Sequence, residues 1–239
     1  MYMMAPLGEH YDLGFGAIGD AFRDAAETLR KANGTKRISW NHLPETYLLR
    51  HAVELYLKSG IIIMHRKLRL PYGSEPHSST KPTIMTSSGK RKSLFTIHDV
   101  TQLYAHWKKL IVEHKDKLGK FTSTQPDMTV PQELDAWIGT LGKTDPGSDY
   151  FRYPISTNNG ADNEKSPFKE VCLESFVTEH DKGKEYVKAM LVQGGDGESV
   201  RVFAYDSAAS KDVVEAVRLA ADMLNNFHAM MRFVLTDGW

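Results

Sequence analysis

Apolar side chains recur every three to four positions along most of this chain, the pattern of helices that bury one face. Ile18, Phe22, Ala25, Ala26 and Leu29 share one such face. Asn33-Gly34 then supplies the left-handed stop that helices often use. A second helix is predicted from Pro44-Glu45, where proline sacrifices no helical hydrogen bond and glutamate favours the positive end of the dipole. It runs to about Arg66 and is apolar over more than half its circumference, so it belongs at the centre of a bundle. Ile97, Val100, Leu103, Tyr104, Trp107, Leu110 and Ile111 line a third helix. Thr129-Val130-Pro131-Gln132 has capping-box spacing and opens a fourth, which buries Leu134, Trp137, Ile138 and Leu141. A long last helix from about Lys211 presents Val213, Val217, Ala220, Leu224, Phe227, Met231 and Val234, with Met223 and Met230 widening the face.

Between these helices the pattern breaks twice. The stretch 70–93 is dense in proline, glycine, serine and threonine and ends in Lys90-Arg91-Lys92. Too little apolar surface is present to order it, so it is expected as a long flexible loop. Further on, Asp145-Pro146-Gly147-Ser148-Asp149 is a turn leading into Tyr150-Phe151-Arg152-Tyr153-Pro154. The β-prone runs Glu185–Val192 and Ser199–Tyr205 flank Gly194-Gly195-Asp196-Gly197 and read as a hairpin, with Phe168–Val177 as a third strand. The expectation is a single mainly α domain over 1–239. It is an up-and-down bundle of about five helices with a β-containing insertion over 155–209 before the last.

Composition narrows this picture without redirecting it. Apolar residues at 41% and charged residues at 25% are ordinary for a globular chain. Thirty basic and thirty acidic side chains cancel, so net charge argues for no nucleic-acid or membrane surface, leaving only local patches. Cys172 is the only cysteine, which excludes an intramolecular disulfide and fits a reducing compartment. The longest apolar run, Ser59–Met64, is too short for a bilayer, and the N-terminus lacks a signal pattern. A cytoplasmic protein without a membrane partner is expected.

The candidate chemistry gathers on the second helix. Arg50, Glu54 and Lys58 stand four apart as a charged ladder, and His51 follows Arg50. A surface ion pair accounts for that spacing; a buried one would have to be fully satisfied, as groups that position a substrate are. His51-x-x-Glu54 also has the spacing of paired metal ligands, but no second pair accompanies it, and neither a metal nor a cofactor is expected. No nucleophile elbow, phosphate loop or dinucleotide fingerprint is present. His98-Asp99 opens the third helix, and Arg152 lies among Tyr150, Phe151 and Tyr153, where a guanidinium stacks easily.

Three segments in order carry a resemblance. Leu49-Arg50-His51-Ala52-Val53-Glu54-Leu55-Tyr56-Leu57-Lys58 resembles the A-x-E-x-x-L-K helix of the HEPN superfamily. His98-Asp99-Val100-Thr101-Gln102-Leu103 resembles the start of that family's next helix, and Arg152-Tyr153-Pro154 its later R-Y-P. The resemblance spans roughly Pro44 to Pro154 and implies a helical bundle that forms a homodimer and acts on RNA or nucleotides. It further implies a metal-independent ribonuclease of a toxin–antitoxin or antiviral defence system, with an antitoxin or nucleotidyltransferase as partner protein. His98, His51, Arg50, Glu54 and Arg152 would form the catalytic group, and Arg152 with Lys90, Arg91 and Lys92 would bind nucleic acid or nucleotide. The arginine–histidine spacing of the family's nucleases occurs at Arg37…His42 and Arg91…His98, outside the late helix where those enzymes carry it. The alternative is a non-catalytic dimerisation or partner-binding module whose polar residues are structural.

Overall fold

The computed structural model describes residues 4–33, 42–121, 128–153, 155, 162, 165–172, 174, 189–193, 195, 200–205 and 210–238. The chain divides into two compact units, Met1–Arg152 with Val213–Trp239, and Tyr153–Asp212.

The first unit is helical. Its elements are α1 (Phe15–Asn33), α2 (His42–Leu68), α3 (Val100–Gly119), α4 (Gln132–Thr144) and the body of α5 (Lys211–Thr236). Helix α2 is the core element: Ala52, Val53, Leu57, Ile61, Ile62, Ile63 and Met64 are all but inaccessible. The predicted face of α3 is the observed one, with Ile97, Val100, Leu103, Tyr104, Trp107, Leu110 and Ile111 buried. Asp99 caps this helix, its side chain accepting from the amides of Thr101 and Gln102. Helix α5 closes the core, with Phe227 edge-on to Trp107 at 5.1 Å between centroids.

Three local expectations change. The deepest positions of α1 are Gly16, Ala17, Gly19 and Ala26, whereas Ile18, Phe22 and Leu29 are half-buried and Ala25 is exposed. A Cβ on Gly19 would meet the Tyr56 ring at 2.9 Å, so α1 approaches α2 through small residues that a count of apolar side chains passes over. Helix α4 begins at Pro131 as its cap without a side-chain hydrogen bond, so the capping box does not form, and Trp137 is half-buried. The stretch 70–93, expected as a loop, carries an antiparallel pair, β1 (Thr83–Met85) and β2 (Arg91–Ser93). Tyr72, Ile84 and Leu94 anchor it in the core, too sparsely for a three-residue strand to show alternation.

The second unit holds a small antiparallel sheet in the order β3 (Phe168–Val171), β5 (Val200–Tyr205), β4 (Ala189–Gln193). Phe168 pairs with Tyr205 and Gln193 with Val200. The glycine turn between β4 and β5 lies outside the described residues apart from Gly195, as do Glu185–Lys188. Cys172 is exposed just beyond β3. The chain is thus mainly helical with a small antiparallel sheet.

Candidate functional site

The ladder on α2 faces inward. Arg50, Glu54 and Lys58 are buried, and so is Asp145, which ends α4 far along the chain. Glu54 is the hub. Its Oε2 accepts from Arg50 Nη1 at 2.5 Å, and its Oε1 accepts from Lys58 Nζ at 2.7 Å and from His98 Nδ1 at 3.1 Å. Arg50 Nη2 donates to the His98 carbonyl. Arg50 Nε lies 3.0 Å from Asp145 Oδ2, an ion-pair distance without hydrogen-bond alignment. Asp145 Oδ1 accepts from the Tyr150 amide at 3.0 Å.

Two buried cations therefore meet two buried carboxylates. Burial pushes the Glu54 carboxyl up, but Lys58, Arg50 and His98 together outweigh it and hold it below the usual carboxylate range. At Asp145 burial wins over the Tyr150 amide and Arg50, and its carboxyl titrates above the ordinary value. Removing one member of such a closed set leaves an uncompensated charge in the interior.

His98 is the member that reaches solvent, with 52% of its side chain exposed. A carboxylate only accepts, so Nδ1 carries the proton and Nε2 is the nitrogen left to act. A buried acid orienting a half-exposed imidazole is a chemically competent acid–base arrangement.

The other expected site residues lie apart. His51 is one position on from Arg50 and turns away, between the edge of Phe22 (4.5 Å) and the face of Tyr47 (6.1 Å). Burial lowers its basicity, with the charge of Glu54 opposing. Arg152 is exposed in the turn after Asp149, whose carbonyl accepts the Arg152 amide at 3.2 Å. Pro154 and Arg37 lie outside the described residues. Lys90, Arg91 and Lys92 are exposed on the β1–β2 hairpin.

Arg91 borders a cavity of about 820 Å³ together with His65, His106, Asp99, Thr101 and Lys109. His65 Nδ1 donates to the Leu70 carbonyl at 3.0 Å, so its Nε2 is the acceptor for His106 Nε2, 3.4 Å away. Nothing in the sequence couples these two histidines, which meet only because α3 packs along α2. Sequence reasoning also missed Asp145, whose visible signal was that of a turn residue.

A second buried set, Asp12, Ser59 and His228, has the composition of a hydrolytic triad but the wrong polarity. Ser59 Oγ donates to Asp12 Oδ2 at 2.5 Å, leaving His228 Nδ1 to donate to Ser59 at 3.0 Å. The serine proton is directed away from the histidine, so the imidazole is not positioned to activate the hydroxyl. Among the described residues, no three His, Cys, Asp or Glu side chains converge as metal ligands. No helix among them is long and apolar enough to cross a membrane.

Fold and site together define a mainly helical protein with a buried, charge-balanced centre and one solvent-facing histidine. No family model, curated protein or solved structure matches the chain.

Proposed function

We propose that the chain is a HEPN-like protein of RNA or nucleotide transactions, in which His98 acts on the ligand as a metal-independent acid–base group. The observation that carries this reading is the pairing of buried Glu54 with half-exposed His98 at 3.1 Å. Glu54 fixes the tautomer, and Nε2 is positioned to take a proton from a ribose hydroxyl or return one to a leaving oxygen. The order of the three motif segments along the chain supports the family part of the reading, and a homodimer with an antitoxin or nucleotidyltransferase partner goes with it. Arg50 acts on His98 rather than on a phosphate, because its guanidinium is committed to Glu54, Asp145 and the His98 carbonyl.

That commitment also favours a second reading, a non-catalytic dimerisation or partner-binding module in which the charges only specify the packing of α2, α3 and α4. Cleavage of single-stranded RNA in EDTA separates the two. The acid–base reading expects activity in wild type, loss of at least about 100-fold in His98→Ala, and near wild-type activity in His51→Ala, whose ring faces elsewhere. Absence of cleavage in wild type, or full activity in His98→Ala, sinks it in favour of the module.

A further inference from the structure

Helices α2 and α3 end side by side, and their last turns are basic. Arg66, Lys67 and Arg69 from α2 and its cap, and Lys117 and Lys120 from α3, line one recess of about 650 Å³ together with Tyr11 and Phe121. Among the described residues, no acidic side chain borders it. In a chain of zero net charge this is a strong local asymmetry. Cations near helix C-termini are favoured by the dipole, which accounts for one or two of them. It does not account for five around a single recess, none of which forms an ion pair among the described residues.

Two further features set the recess apart from an ordinary helix end. Phe121 is 43% exposed, and Lys67 Nζ lies over its ring at 4.8 Å from the centroid, so an exposed aromatic and a cation stand together at the recess. Arg66 donates through Nη1 to the Tyr11 carbonyl at 2.6 Å, while its buried Nε has no partner. The end of α2 adds a sequence anomaly. The amide of Leu70 bonds to the His65 carbonyl and that of Arg69 to Arg66, which is the Schellman closure. Its left-handed residue, normally glycine, is Arg69 at φ +56°. An arginine there gives up backbone ease and places a charge at the recess.

We propose that this recess binds single-stranded nucleic acid, the cations tracking successive phosphates and a base stacking on Phe121. Clustered cations with an exposed aromatic face are what strand binding without sequence preference requires. A concave site with an aromatic wall suits a strand better than a membrane surface, which calls for a protruding face. The site is separate from His98, so the inference adds a place for the strand and does not depend on the acid–base reading.

The test uses the full chain and a short oligoribonucleotide with 2′-O-methyl sugars, which binds without being cleaved. Binding is read by fluorescence anisotropy across a salt series. The expected slope of log Kd against log salt is about 2 or steeper, three or more phosphates at about 0.7 each. Lys117→Glu with Lys120→Glu, both at exposed positions, should weaken binding at least about 10-fold. Phe121→Ala should weaken it about 10-fold. Arg69→Gly should weaken it about 3-fold while leaving the thermal midpoint unchanged or raised, because glycine suits the backbone there. No binding, binding indifferent to the charge reversal or to Phe121→Ala, or tighter binding of a nucleoside triphosphate or of phosphatidylserine vesicles overturns the proposal. Cleavage by His98 is scored in a separate assay, so either reading fails alone.

Discussion

His98 Nδ1 lies 3.1 Å from Glu54 Oε1, yet the two side chains live in different media. About half of the imidazole is exposed, while the carboxylate is 1% exposed and also holds Arg50 and Lys58. The consequences of removing each partner should therefore differ in kind. Glu54→Gln keeps the shape but presents amide hydrogens to buried cations, and is expected to cost about 3–5 kcal/mol of stability. His98→Ala removes a solvent-screened partner and should cost at most about 1 kcal/mol. Urea unfolding of the two variants measures both. A Glu54→Gln variant within about 1 kcal/mol of wild type would refute the closed network.

The same network shows how much of the site could be read in advance. Spacing alone puts Arg50, Glu54 and Lys58 on one face of α2, and the helix rotation separates His51 from them. What spacing could not decide was whether that face looked inward, because a charged ladder on a largely apolar helix reads equally as its solvent side or as a buried, satisfied set. The deciding residue, Asp145, arrives from the end of α4, and no local pattern links it to α2. The buried face of α3 was legible from Ile97 to Ile111, since it has one apolar face and one polar one, whereas the break in helical geometry at His114 left no mark in the pattern. The basic recess divides between two distant runs, 66–69 and 117–121, each of which reads alone as an ordinary helix end.

Acid should destabilise the fold in two stages. Burial lowers the pKa of His65, His106 and His228, that of His106 to about 4. A depressed histidine pKa means that the unfolded chain binds protons first, so stability is full above about 6.5 and falls as pH drops toward the folded value. His106 accounts for up to about 2 kcal/mol of that loss by pH 5, less solvent screening. Below the ordinary carboxylate range Glu54 adds to the loss as its lowered folded pKa is crossed. Asp145 works in the opposite sense: its raised pKa gives a contribution that is full at low pH and lost as pH rises. Guanidinium unfolding at pH 7.5 and pH 5 should show the first stage, with a smaller difference in His106→Gln. An unchanged difference would mean that His106 is not the group responsible.

Gly60 tests the seam between α2 and α3. A Cβ there would lie 2.5 Å from Trp107 Nε1 and 2.8 Å from its Cδ1, and Trp107 is 1% exposed with Phe227 across its face. Alanine improves helix propensity by about 1 kcal/mol, but overpacking a ring that cannot retreat costs about 1–3 kcal/mol. Gly60→Ala is expected to lower the thermal midpoint. A rise would show that Trp107 has room to move.

Replacing the whole charged centre distinguishes an architectural role from a positioning one. Single substitutions leave an orphan charge, but exchanging a complete buried set for apolar residues of similar volume is often neutral or stabilising. The combination Arg50→Met, Glu54→Leu, Lys58→Met and Asp145→Asn removes all four charges, and the amide oxygen introduced by the last change still offers an acceptor to the Tyr150 amide. It should be more stable than Glu54→Gln alone by at least about 2 kcal/mol. If the charges serve to hold His98, the restored fold should still cleave RNA no better than His98→Ala, because Nδ1 has lost the carboxylate that fixed its tautomer. Wild-type cleavage by this folded variant would show that Glu54 does nothing for His98. Failure of the stability to recover would instead mark the charges as specifying how α2, α3 and α4 fit together.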